Sequence, residues 1–437
     1  MYLKRHIEEK LREYATFSKI VLILGARQVG KSTLLKNVFP HLPAFTFDAY
    51  LDPYAVRTDP DMFLQQFEGP IILDEIQYVP ELLSAIKRRV DTKEQAGQYF
   101  LTGSQNFAVL KNLSETMAGR VSILTLHPMT LHEINECPGK HWLPTLLENP
   151  SDLPQICQTV IPNLSLWNVL WQGGFPGLLS VPQKHMQGIL QSYLNTYAER
   201  DIRLLENVRD LGDFKRFMSL LAAMTAQEVN EAQLGREIGI SHTTSRRWVS
   251  LFNASFQWIE IPPYHGNTIK RISRKRKGYI ADTGIASLLL KLSSPEVIGS
   301  SPHFGALFES YVVQQIIAVA TSYSLEPNFY HWRTKGGAEV DLLLEINNKM
   351  IPIEIKARTY VSKNDARGIR AFRETYPHLN IETGVIIYAG ERCYQMDSQT
   401  IALPYNALKT NSTSQMMPPA QKPQIKRKNH ASKRIQL

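Results

Sequence analysis

Ile20-Val21-Leu22-Ile23-Leu24-Gly25-Ala26-Arg27-Gln28-Val29-Gly30-Lys31-Ser32-Thr33-Leu34-Leu35 is the stretch that decides the fold. Five consecutive apolar residues read as a strand buried on both faces. The pattern G-x-x-x-x-G-K-[ST] follows at residues 25–32 and opens a helix, which is the setting that motif requires. Its two glycines let the backbone curl, so that successive N–H groups and a helix amino terminus face a phosphate chain. Gly25, Ala26, Arg27, Gln28, Val29, Gly30, Lys31, Ser32 and Thr33 are therefore the expected nucleotide cradle. Lys31 is expected to reach the β- and γ-phosphates, and the Ser32 hydroxyl to ligate Mg²⁺.

A second strand, Ile71-Ile72-Leu73-Asp74, is entered through Gly69-Pro70 and ends in two carboxylates. Asp74 is the metal candidate and Glu75 the general base that polarises an attacking water. Carboxylates also suit helix amino termini, but this pair stands some forty residues after a phosphate-loop motif. A third strand, Gln98-Tyr99-Phe100-Leu101, delivers Thr102-Gly103-Ser104 to the same sheet edge. Ser104 or Thr102 is the expected γ-phosphate sensor, although Thr-Gly-Ser is also ordinary turn chemistry. Arg120, after Met117-Ala118-Gly119, is a candidate to reach a γ-phosphate in its own or a neighbouring subunit, or else a salt-bridge residue. Strands and helices alternate to about residue 135, the pattern of a parallel sheet covered on both faces.

At 437 residues, with 43% hydrophobic and 20% charged, the chain is expected to be globular and multidomain. No run approaches the roughly 18 apolar residues of a membrane span, and the first residues lack a signal-peptide core. Cys137, Cys157 and Cys393 are scattered and odd in number, which suggests neither a disulfide framework nor a zinc site. The expectation is a cytoplasmic protein with no membrane partner. The net charge of +9 is concentrated in the tail: Lys422, Lys426, Arg427, Lys428, Lys433 and Arg434 stand there without an acid. Overall charge is thus weak support for nucleic acid.

The expected organisation is a nucleotide-binding domain at 1–165, a helical lid and winged helix at 166–300, a third α/β domain at 301–405 and a basic disordered tail at 406–437. Trp171-Gln172-Gly173-Gly174-Phe175-Pro176-Gly177 marks a boundary loop, and 187–226 has helical periodicity. Over 227–280 a winged helix is expected. Asn230 and Ser241 cap its two helices, and Trp248, Val249 and Phe252 turn inward. Thr243, Thr244, Arg246 and Arg247 are left available for a groove or for phosphates. A hairpin then pairs Trp258–Ile261 with Thr268–Arg271 across a His265-Gly266-Asn267 turn. Lys270, Arg271, Arg274, Lys275, Arg276 and Lys277 form a basic strip at 270–277, suited to phosphate neutralisation on DNA.

Residues 340–346 and 349–357 read as strands joined by Asn347-Asn348, a residue pair tolerant of left-handed turns. A two-residue turn sets the register so that paired numbers sum to 695. Asp341 then lies opposite Glu354 with Cβ atoms about 5 Å apart, and Lys356 shares their face. Like charges across a sheet are costly unless a metal or cations such as Lys356, Arg333 or Lys335 compensate. Glu309, on an expected amphipathic helix at 304–318, is a third acid. The pattern Glu309…Asp341…Glu354-x-Lys356 resembles the PD-(D/E)xK nuclease superfamily. That resemblance implies a restriction-endonuclease-like α/β fold in which Asp341, Glu354 and Glu309 hold Mg²⁺ and Lys356 orients a water.

The order of motifs across residues 1–405 resembles the prokaryotic AAA-type ATPases that carry the C-terminal domain of unknown function 4143, relatives of STAND-like ATPases. The matching stretches include Gly25–Ser32, Ile71–Val79, Leu101–Ser104, Ala118–Arg120, Gly173–Pro176, Glu199–Ile202, Asp282–Gly284, Phe308–Ser310, Glu339–Asp341 and Ile353–Ala357. The resemblance implies a multidomain α/β chain that binds and hydrolyses ATP with Mg²⁺. It leaves two roles: an ATP-driven DNA-handling enzyme, or a nucleotide-dependent switch whose C-terminal domain binds a partner without cleaving. A homo-oligomer is compatible with either, with Arg120 or Arg200 acting in trans. The strongly basic 270–277 strip and the tail depart from the family pattern.

Overall fold

The structure is a computed structural model describing residues 2–48, 54–104, 119–202, 211–267, 275–323 and 326–410. Strands β1 (Ile20–Leu24), β2 (Ala44–Thr46), β3 (Ile71–Asp74), β4 (Tyr99–Gly103) and β5 (Val121–Thr125) form a parallel sheet ordered β2-β3-β4-β1-β5. β1, β3 and β4 are buried at every position, as their unbroken apolar runs require. Helix α1 (Glu8–Phe17) precedes β1 and helix α2 (Lys31–Val38) follows its loop. Because β4 lies between β1 and β3, the residues after all three strands converge on one edge of the sheet.

The middle of the chain is helical. Helices Gln183–Thr196 and Leu211–Ala223 are followed by β7 (Gln227–Glu228), helices Glu231–Ile238 and His242–Ala254, then β8 (Trp258–Ile261) and β9 (Lys277–Ile280). These three strands form a small antiparallel sheet ordered β7-β9-β8. Asn230 and Ser241 cap the two short helices as expected, accepting from Gln233 and Thr244 N–H groups at 3.3 and 3.1 Å. Trp248, Val249 and Phe252 are buried while Arg246 and Arg247 are exposed. The hairpin expectation needs correction. The partner of β8 is Lys277–Ile280, and residues 268–274 lie outside the described residues. Lys270, Arg271 and Arg274 of the basic strip fall there too.

The C-terminal part packs a six-stranded mixed sheet against the helix Phe304–Ser322; its strands, β10 to β15 in chain order, are arranged β10-β11-β12-β13-β15-β14. The strands run Asn328–Arg333, Glu339–Ile346, Lys349–Lys356, Gly384–Tyr388, Tyr394–Asp397 and Thr400–Pro404 for β10 to β15. The register sum is as expected: Leu342 pairs with Ile353 and Leu344 with Ile351. Asn347 and Asn348 take φ of 50° and 61°, the left-handed pair a type I′ turn needs. The helix Phe304–Ser322 passes the length and composition test for a membrane span, contrary to the expectation that no segment would. Its most apolar window is 72% buried inside the fold, where it serves as the core of this part.

Asn406 is buried, and β16 (Ala407–Leu408) pairs with β6 (Thr159–Val160). Residues 411–437, where the basic tail is expected, lie outside the described residues.

Candidate nucleotide site and C-terminal carboxylate cluster

The loop after β1 has the curl its glycines permit. Gly25 has φ of 153°, and a Cβ there would meet the Leu126 carbonyl oxygen at 2.2 Å. Gly30, the residue before α2, has φ of 98°, in the left-handed region. Lys31 is 4% exposed, with Nζ donating to the Gly25 and Ala26 carbonyls at 3.0 Å each. The ammonium is thus held within the curl of the loop.

Asp74 sits under that loop and gathers hydroxyls. Ser32 Oγ donates to its Oδ1 at 2.6 Å, Thr102 Oγ1 to the same oxygen at 2.5 Å, and Thr46 Oγ1 to Oδ2 at 3.1 Å. A carboxylate surrounded by neutral oxygens is an all-oxygen donor set of the kind Mg²⁺ prefers. Glu75 follows in a left-handed conformation, φ 59°, with its N–H on Thr102 Oγ1 at 2.9 Å. That conformation costs a non-glycine residue on the order of 1 kcal/mol and turns the side chain away from the strand direction. Gln77 Nε2 bonds Glu75 Oε2 and also Ser104 Oγ, the latter at 3.0 Å. Glu75, Thr102 and Ser104 are therefore assembled at one edge with Lys31, Ser32 and Asp74.

Arg120 is not among them. It precedes β5, and β5 runs parallel to β1 with Val121 beside Ile20, so Arg120 lies at the opposite edge of the sheet. Five residues at about 3.3 Å each place it roughly 16 Å from the loop. There it makes a salt bridge with Asp91. Within one chain it cannot touch a γ-phosphate bound at Lys31. The Arg200 side chain lies outside the described residues.

Two features of this edge were not read from the sequence. Arg5 donates to the Val29 carbonyl at 2.9 Å and the His127 carbonyl at 2.7 Å, and pairs with buried Glu133 at 3.1 Å. A cavity of about 290 Å³ beside Gly30 and Thr33 is lined by Tyr2, Leu3, Met129, Pro176 and Leu179. The boundary loop at Gly173–Gly177 thus forms one wall of the space next to the cradle. Pro176 is the signal that pointed to a loop and not to a pocket.

The second acid cluster is built by β11, β12 and the helix Phe304–Ser322. Asp341, Glu354 and Glu309 come together as the register requires, but lysines fill the space between them. Lys277 Nζ, from β9, lies 2.5 Å from Glu309 Oε1 and 3.5 Å from Asp341 Oδ1. Lys356 Nζ lies 2.7 Å from Glu354 Oε2 and 3.5 Å from Asp341 Oδ2, and the Ile355 N–H donates to that same oxygen at 2.8 Å. Tyr279 donates to Glu309 at 2.8 Å. Among the described residues, no group of three His, Cys, Asp or Glu side chains is arranged to hold a metal. The expected ligands Asp341, Glu354 and Glu309 are brought together in an arrangement that pairs each acid with an ammonium group. It also removes Lys277 from the basic strip, leaving Lys275 and Arg276 exposed there.

Electrostatics follow from the crowding. Burial raises Glu309 to about 7, assisted by the Asp341 charge and opposed by Lys277. Burial and the Asp341 charge push Glu354 well above the usual carboxylate range. Burial works against Asp341 too, but Lys277 and Lys356 outweigh it and hold Asp341 below its usual value. Asp341 carries the charge of the pair and Glu354 holds a proton more readily.

A family model described as an AAA domain matches residues 17–135, and two described as domains of unknown function match 163–296 (DUF8612) and 304–408 (DUF4143). Uncharacterized proteins Rv2008c of Mycobacterium tuberculosis and Mb2031c of Mycobacterium bovis are each 27% identical over 414 residues, covering 94% of this chain and 85% of theirs. Among solved structures, a Walker-type ATPase of Pyrococcus abyssi is 15% identical with a TM-score of 0.42, covering 66% of this chain and 96% of that one. The RuvB Holliday junction branch migration motor of Thermotoga maritima is 16% identical with a TM-score of 0.30, covering 60% of this chain and 90% of that one. The chain carries an AAA domain with the P-loop NTPase fold, followed by a DUF4143 domain at its carboxyl end.

Proposed function

We propose that this protein hydrolyses ATP with Mg²⁺ at the β1–β3–β4 edge and uses the cycle to reposition its middle and C-terminal parts on DNA. The observation that carries the reading is the Ser32–Asp74 contact of 2.6 Å beneath a glycine loop that encloses Lys31. Ser32 and Asp74 would hold Mg²⁺, which neutralises phosphate charge when bound. The loop N–H groups and Lys31 bind the phosphates. Glu75, oriented by Gln77, takes a proton from the attacking water, and Ser104 senses the γ-phosphate. The apolar cavity beside Gly30 is suited to the adenine ring.

Buried contacts supply a route outward. Arg5 grips the loop at Val29 and the Glu133 carboxylate, while the neighbouring Leu131 N–H donates to Gln315 on the helix Phe304–Ser322 at 2.7 Å. His132 Nε2 meets the Ala407 carbonyl at 3.0 Å. A change at the loop thus bears directly on the core helix of the C-terminal part.

The middle part reads as a winged helix, with helix His242–Ala254 presenting Thr243, Arg246 and Arg247 to a groove or backbone. The C-terminal strand and helix order, with Asp341 and Glu354 on neighbouring strands, supports a restriction-endonuclease-like fold. A second reading, a nucleotide-controlled switch whose C-terminal part does not cleave, is favoured by the lysines seated between its carboxylates. Steady-state ATP hydrolysis, alone and with single-stranded, duplex and branched DNA, separates the two. Stimulation by one DNA form supports the first reading. Turnover indifferent to every DNA supports the switch, and no turnover at all defeats both.

A further inference from the structure

The carboxylates of the C-terminal cluster do not fit a divalent cation as they stand, and the misfit has a specific source. Mg²⁺ requires close oxygen ligands in near-octahedral order and loses heavily from an adjacent ammonium. Lys277 Nζ stands between Glu309 and Asp341 at 2.5 and 3.5 Å, and its side chain is 13% exposed. Lys356 takes Glu354 and the remaining Asp341 oxygen, which also accepts the Ile355 N–H. Three acids therefore meet two ammonium groups, one of them from a different part of the chain. β9 places Lys277 and Tyr279 on the same face, two residues apart, and both bond Glu309. This is a matched contact between the small middle sheet and the C-terminal sheet.

We propose that Lys277 is the resident cation of the carboxylate cluster, locking strand β9 of the middle part onto Asp341 and Glu309 and excluding a divalent metal. The cluster then works as an ionic lock between two parts of the chain, and a metal enters only when β9 withdraws. With Lys277 gone, Lys356 alone faces Glu309, Asp341 and Glu354, and the uncompensated acids become an oxygen-rich cation site. The lock is independent of the ATPase reading, since none of its residues belongs to the nucleotide edge.

The test is Mn²⁺ binding to the full chain without nucleotide, followed by electron paramagnetic resonance of the free ion. Asp74→Ala is present throughout, to remove the nucleotide edge's own metal ligand. The expected result is no saturable site in that background, a saturable site once Lys277→Met is added, and its loss on further adding Asp341→Asn. Methionine keeps the apolar stem, and Lys277→Gln serves as the second variant should Lys277→Met fail to fold. An Asp341-dependent Mn²⁺ site with Lys277 in place would overturn the proposal. So would absence of any site in a folded variant lacking the Lys277 ammonium.

Discussion

The molecule contains two acid pairs carried by β-strands, Asp74-Glu75 and Asp341/Glu354, each with a lysine nearby, and their surroundings differ in kind. Asp74 is met by three hydroxyls, from Ser32, Thr102 and Thr46, while Lys31 donates to the Gly25 and Ala26 carbonyls. Asp341 is met by two ammonium groups, Lys277 and Lys356, and a backbone N–H. Hydroxyls satisfy a carboxylate without cancelling its charge, so the first site retains its attraction for a cation. Lysines cancel it. Strand-borne carboxylates are thus a shared ingredient, and the neighbouring donors decide what each site can take up.

Glu75→Gln gives the largest expected effect, because it removes the proton acceptor while keeping the shape. Turnover should fall by about 10²–10⁴-fold while ATP binding persists, as read by hydrolysis and equilibrium binding on the same preparation. At the other site Asp341→Asn should act on stability. It removes the carboxylate that Lys277 and Lys356 share, while Glu309 and Glu354 stay beside them, and is expected to cost about 1–3 kcal/mol in denaturant unfolding, with nucleotide affinity unchanged. A reversed outcome, with Asp341 governing ATP turnover, would break the comparison.

Acid probes the ground between the two sites. Burial lowers His127 and His132 to about 4, and His141 falls well below its usual value for the same reason. An unfolded histidine titrates near 6.5, so below that pH the unfolded chain takes up protons that the folded chain refuses. The stability these groups contribute is whole above 6.5 and is lost as pH falls toward 4. It amounts to on the order of 2 kcal/mol by pH 5 for each of His127 and His132. Denaturant midpoints measured from pH 7.5 to 5 should fall accordingly. The smallest effect is expected at Arg120. Its exposed pair with Asp91 is screened by solvent, and Arg120→Ala should leave the turnover of an isolated chain within about threefold.

Local rules read well from this sequence, and long-range pairings did not. The β1 loop, the Asp74-Glu75 strand end and the Asn347-Asn348 register all follow from short-range chemistry, and each is present in the structure. Asp341 facing Glu354 was legible because a two-residue turn admits only one register. Lys277 was read as part of a basic strip suited to DNA phosphates, since nothing local says that β9 packs on another sheet. Of the alternatives left for Arg120, the salt bridge is the one present in the chain, and the order of elements explains why. A residue before a parallel strand lies at the edge opposite to residues that follow its neighbours, so Arg120 and Lys31 were bound to be separated. The helix Phe304–Ser322 was read as amphipathic, whereas its burial on nearly all sides comes from being enclosed by the C-terminal sheet and the helices of the middle part.

The most direct test of the account is steady-state Mg²⁺-dependent ATP hydrolysis by the full chain beside Lys31→Ala and Lys277→Met. The account predicts turnover in the unmodified chain, its loss in Lys31→Ala, and its persistence in Lys277→Met. Turnover that survives Lys31→Ala, or a chain with no ATP hydrolysis under any condition, would contradict it.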